Sequence, residues 1–127
     1  MSRQTKTTMI YKGVEIDLTP TKGMAEAAEK GLKWRKEYGR GGTLVGVRRA
    51  NQLVKRQELS PDVVKRMKSF FARHAVDLEA PKNYDPDADG YPGAGLIAHL
   101  LWGGNPGVTF SNRKVDQLVE IEIENGN

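Results

Sequence analysis

A chain of 127 residues without a single cysteine excludes disulfide staples, thiolate metal centres and a cysteine nucleophile, and its length suits one domain with a modest core. Apolar residues make up 38% and charged residues 28%, and no apolar run approaches the roughly 20 residues that span a bilayer, so no membrane association is expected and the composition fits a cytosolic globular protein. Net charge is +4 but uneven: residues 1–19 hold three basic against two acidic side chains, residues 20–76 fourteen against five, and residues 77–127 three against nine. That asymmetry points to an anionic partner for the middle of the chain, with nucleic acid ahead of an acidic protein or a membrane surface.

Residues 1–7 are polar and expected to fray, and Arg3 and Lys6 among threonines do not read as a secretory signal. Thr8 to Leu18 reads as a hairpin turning at Lys12 and Gly13, with Met9, Tyr11, Ile16 and Leu18 as its apolar residues. Two strands alone are marginal in water, so the hairpin needs support. A third strand is expected at Leu118 to Glu124, where Val119, Ile121 and Ile123 alternate with Glu120, Glu122 and Glu124. Both ends would then join in one small antiparallel sheet.

Between them the pattern is helical. A first helix should start near Thr19 and Pro20 and end at Tyr38 before Gly39, burying Met24, Ala28, Gly31, Trp34 and Tyr38. Gly31 costs about 1 kcal/mol against alanine inside a helix, so its place there implies close approach of another backbone. A second helix over Thr43 to Lys55 presents Leu44, Val47, Asn51 and Val54 on one face, with Ala50 and Leu53 at its borders and Arg48, Arg49, Gln52, Lys55 and Arg56 directed away. The third helix opens at Ser60 and Pro61, a cap and a first-turn proline. It buries Val63, Val64, Met67, Phe70 and Phe71, with Ala75 completing the row and Lys65, Arg66, Lys68 and Arg73 on the opposite side. These two helices share the outline of a helix-turn-helix, a common arrangement in small helical domains. An acidic, proline-containing stretch from Asp77 to Tyr91 precedes a short apolar helix over Gly93 to Trp102, which should bury Leu96, Ile97, Leu100 and Leu101. Asn105 and Pro106 supply a cap and a first-turn proline for the last helix, with Val108, Ser111, Val115 and Leu118 inside and Phe110 to one side.

No catalytic constellation emerges, and neither cofactor nor metal is expected. Asp85, Asp87, Asp89 and Gly90 match the first half of a calcium loop, but the position that should carry a bidentate glutamate is Leu96, so a solvated turn is the better reading. Gly39, Arg40, Gly41, Gly42 and Thr43 open a helix without the lysine of a phosphate loop; Arg40 and free amides there suit one backbone phosphate. His74 and His99 lack the spacing of a metal pair, and Trp34 and Trp102 read as core residues before stacking platforms.

The runs Arg35–Tyr38, Gly39–Thr43, Gly46–Ala50, Leu59–Pro61, Arg66–Met67, Ser69–His74, Val76–Asp77, Gly90–Pro92, Ile97–Ala98 and Leu101–Gly104 resemble a small module common in tailed-phage and prophage proteins, free-standing or attached to head-maturation proteases. The resemblance covers about residues 19 to 118, with Gly93, Asn105 and Phe110 where a small polar residue, aspartate and tryptophan are usual. It implies a phage origin, with the protein in the host cytoplasm during infection or on the virion. It implies no activity.

The expected fold is therefore mostly α (α+β): one domain of four to five helices with a small antiparallel sheet from the N-terminal hairpin and the C-terminal strand. The expected function is non-enzymatic contact with nucleic acid, DNA first, through Arg40, Arg48, Arg49, Lys55, Arg56, Lys65, Arg66, Lys68 and Arg73. The alternative is a protein-interaction module for a phage head protein or a host protein, in which Asp116 and the C-terminal glutamates would share the work.

Overall fold

The computed structural model describes residues 8–125, so the expectation of frayed residues 1–7 lies outside the described residues. Strands β1 (Met9–Tyr11) and β2 (Val14–Ile16) form a two-stranded antiparallel hairpin with Met9 opposite Ile16. Lys12 and Gly13 both take positive φ at its turn. Five helices follow: α1 (Lys22–Tyr38), α2 (Leu44–Val54), α3 (Pro61–His74), α4 (Ala94–Leu101) and α5 (Gly104–Glu124). Two short 3₁₀ turns, Ala75–Glu79 and Pro81–Asn83, occupy the acidic stretch. The chain is thus a mostly helical α+β domain, as expected. No helix among the described residues is long and apolar enough to cross a membrane.

Caps follow side-chain chemistry. Thr21, Thr43 and Ser60 each accept an amide of the first turn of α1, α2 and α3, satisfying donors that a helix leaves free. The core gathers Leu18, Met24, Leu53, Leu59, Val64, Met67, Leu101, Phe110 and Leu118, all nearly inaccessible, with Phe70, Phe71 and Trp102 beside them. Of the row expected in α1, Met24, Ala28 and Gly31 are buried, Trp34 is partly so, and Tyr38 is exposed.

The C-terminal strand is corrected: Leu118 to Glu124 continues α5, burying Leu118 and Ile121 while Val119 and Ile123 are exposed. Alternation had suggested a strand, but Phe110, Ser111, Leu118 and Ile121 also recur at helical spacing, and packing of α5 on α3 and α1 selects that period. Phe110 is accordingly central to the core, not to one side. Asn105 does not cap α5 either: Gly103 holds the N-cap without a side-chain bond, and Asn105 Oδ1 is bonded to His99 Nε2 at 3.0 Å. The ends still meet, side chain to helix. Tyr11 donates its hydroxyl to Glu122, and Lys65 Nζ lies 2.6 Å from the same carboxylate oxygen.

The bonds from Lys65 first, and then Tyr11, hold the Glu122 carboxyl below the usual glutamate range. Because the folded pKa is depressed, this contribution is present above the unfolded pKa and is lost as pH falls through the folded one. Tyr11 ring resonances should therefore shift in the wild type only as pH falls below the ordinary glutamate pKa of about 4.3. In Glu122→Gln they should stay flat, and equal titration in both proteins would show that the hairpin does not rest on this carboxylate.

Gly93, at the start of α4, has no side chain to cap it, and Asn83 does the capping from a distance. Buried Asn83 accepts the Leu96 amide at 3.0 Å through Oδ1 and donates to the Asp77 carbonyl at 2.6 Å. A Cβ at residue 93 would sit 2.2 Å from Asn83 Oδ1, so the glycine and the distant cap require each other. Asn83→Ala strands both groups and should cost about 1–3 kcal/mol in denaturant unfolding. A loss within about 0.5 kcal/mol, typical of a surface change, would refute the capping role.

Candidate nucleic-acid interface

The nine basic residues singled out by sequence do not form one face. Arg40 is tied into the fold, donating from Nε to the Pro92 carbonyl at 3.1 Å and from Nη2 to the Gly90 carbonyl at 3.2 Å. The glycines beside it are there for packing. A Cβ on Gly41 would meet Ile97 at 2.6 Å, and one on Gly42 would meet Leu101 at 2.5 Å. Arg56 donates from Nε to the Pro20 carbonyl at 2.8 Å, Lys65 is paired with Glu122, and Lys68 lines a smaller cavity beside α5.

Arg49 is corrected from surface to interior. The buried face of α2 is Gly46, Arg49, Ala50 and Leu53, rotated from the apolar row, and Leu44 is 74% exposed. Small residues explain the rotation, since Gly46 and Ala50 let α2 approach α1 and α4, and a Cβ at residue 46 would already touch Trp102. The Arg49 guanidinium carbon lies 5.5 Å from the Trp102 ring centroid, Nη1 donates to Gln52 at 2.5 Å, and buried Nε has no partner among the described residues. Burial pushes its pKa down, with Arg66 and Arg48 adding like-charge repulsion. Arginine nonetheless stays cationic.

Beside this cluster a groove of about 770 Å³ runs between α3 and the N-terminal ends of α2 and α4. Lys65, Arg66 and Arg73 line it from α3, with Ser69 between them, and Phe70 and Trp102 edge its floor. Those two rings stack at 4.7 Å between centroids and 13° between planes, and the His74 ring lies 4.5 Å from Phe70. Thr43 and Val45 bring in the start of α2, whose first turn has no acidic side chain, so its amides favour an anion. Asp77 is the sole carboxylate of the lining and is bonded to His74 Nδ1 at 2.9 Å.

Of the nine, Lys65, Arg66 and Arg73 line one groove and Arg49 is repelled by Arg48 and Arg66, while Arg40, Arg48, Arg49, Lys55, Arg56 and Lys68 are outside the groove lining. Arg48, Arg66 and Arg73 make no hydrogen bond or ion pair among the described residues, which leaves them available to an outside anion. Sequence reading missed the groove itself. Its trace is the i, i+3, i+7 recurrence of Arg66, Ser69 and Arg73 beside Phe70, which had been assigned wholly to the core. In the acidic loop, Asp85 Oδ1 accepts the Asp87 amide and the Asp85 carbonyl accepts that of Ala88, which makes a turn built on its own side chain. No family model, curated protein or solved structure matches the chain.

Proposed function

We propose that this is a non-enzymatic, phage-type protein that contacts nucleic acid, DNA first, through phosphates held at the α2–α3 groove. The observation that carries the reading is the groove lined by Lys65, Arg66 and Arg73, whose one carboxylate is already bonded to His74, beside a buried Arg49 repelled by Arg66 and Arg48. Like charges held together destabilise the free protein, and a phosphate at the groove relieves that repulsion. Arg48, Arg66 and Arg73 supply charge-assisted bonds, the Ser69 hydroxyl donates one more, and the amides at the start of α2 add a fixed dipole. Such contacts set position and affinity, with little sequence information.

The resemblance to a phage module supports a setting in the infected host's cytoplasm or on the virion. A second reading, docking to a phage head protein or a host protein, is favoured by the exposed Val119 and Ile123 flanked by Glu120 and Glu124 at the end of α5.

Fluorescence anisotropy of a short labelled duplex across a salt series tests the first reading. Affinity should fall on a log–log plot with a slope of about −2 to −3, near −0.9 for each of three phosphate contacts. Absence of binding at low salt would overturn it and leave the α5 ridge as the surface to pursue.

A further inference from the structure

We infer a second anion site, specific for a phosphate group, where the N-terminus of α1 meets the end of α2 and the middle of α5. Four cationic side chains from three parts of the chain, Lys22, Arg56, Arg113 and Lys114, line one cavity of about 300 Å³. Its single carboxylate, Asp17, already accepts the Thr19 amide at 3.0 Å. Arg113 and Lys114 are two of only three basic residues in the acidic segment 77–127, and the fold carries both to this cavity.

The arrangement is unfavourable without an anion. Lys22 stands at the first position of α1, where the helix dipole disfavours a cation and usually recruits an acidic residue, and that turn has none. Arg56 holds a left-handed backbone, φ +53°, rare for a residue with a side chain, and its guanidinium is fixed by the Pro20 carbonyl. Lys114 is steadied over the Phe110 ring, 5.9 Å from its centroid. Two of the four cations are therefore placed in advance, which lowers the ordering cost of binding. A tetrahedral oxyanion accepts several such donors at once, and the free amides at the start of α1 extend the set. The group is either a phosphate of a nucleic-acid backbone or that of a small phosphorylated molecule.

The site does not depend on the α2–α3 reading. It is tested by titrating the whole protein with inorganic phosphate at constant ionic strength, following amide resonances by NMR. Saturable shifts at Lys22, Gly23, Arg56 and Arg113 are expected, with affinity about tenfold weaker in Lys22→Gln/Arg113→Gln, as for losing two charge-assisted contacts. The variant's dispersed spectrum would report that it is folded, since both side chains are exposed. Shifts that never saturate, or that chloride reproduces, would overturn the site. Duplex anisotropy then identifies the source. If the double variant also lowers the salt slope by about two, the phosphate is a nucleic-acid backbone's, and if the slope is unchanged it belongs to a small molecule.

Discussion

Replacing Gly31 by alanine is expected to destabilise the fold by about 2 kcal/mol, the middle of the range for overpacking, although local helix propensity alone predicts a gain of about 1 kcal/mol. A Cβ at residue 31 would lie 2.8 Å from the Leu101 amide nitrogen and 3.1 Å from the Leu100 carbonyl carbon. Both are main-chain atoms of α4, and the Leu101 side chain is fully buried, so α4 cannot turn aside without opening the core. The same contact lets α1 and α4 lie backbone to backbone, which places Trp102 under α2 and the start of α4 at the groove. Thermal unfolding checks the sign. For a domain of this size the midpoint should fall by about 6–10 °C, and a rise would mean that the close approach is not made.

Charge reversal at Arg48 and Arg66 together is expected to lower duplex affinity by about 100-fold at low salt and reduce the salt slope by about two, one for each phosphate contact removed. The expectation for stability runs the other way. Both side chains are exposed, neither is bonded among the described residues, and both repel the buried Arg49. Arg48→Glu/Arg66→Glu should therefore unfold within about 0.5 kcal/mol of the wild type, or slightly above it. Loss of affinity with stability kept would tie the arginine cluster to ligand. Unchanged affinity would sink the proposed α2–α3 interface and reduce the cluster to a solvated surface, whatever the phosphate titration at α1 shows.

The candidate interface was legible in sequence as a list of charges but not as a place. Arg48, Arg66 and Arg73 were found from composition and helical spacing, because charges on amphipathic helices face solvent in most contexts. Arg49 was misplaced because α2 turns its small residues inward, and hydrophobicity says nothing of close helix approach when glycine and alanine make the contact. Arg40, Arg56 and Lys65 could not be discounted, since their partners, Pro92, Pro20 and Glu122, are 52, 36 and 57 residues away. The cavity at Lys22 left no pattern in the chain.

By itself the sequence determined the helical class, the hairpin, the extents of α1 to α4 within a few residues, and the cap at Ser60, because those depend on side chains within one or two turns. The core residues of α3 were likewise visible, since a single strong period of apolar residues admits one buried face. Tertiary structure alone decided the rest. Leu118 to Glu124 became helix because α5 packs on α3 and α1, where the helical spacing of Leu118 and Ile121 is satisfied and strand alternation is not. Gly93 could dispense with its own cap because Asn83, ten residues earlier, reaches Leu96 once the two 3₁₀ turns fold back over α4. Local propensities set where elements start and stop, whereas the pairing of faces and the convergence of distant charges exist only after the chain has closed on itself.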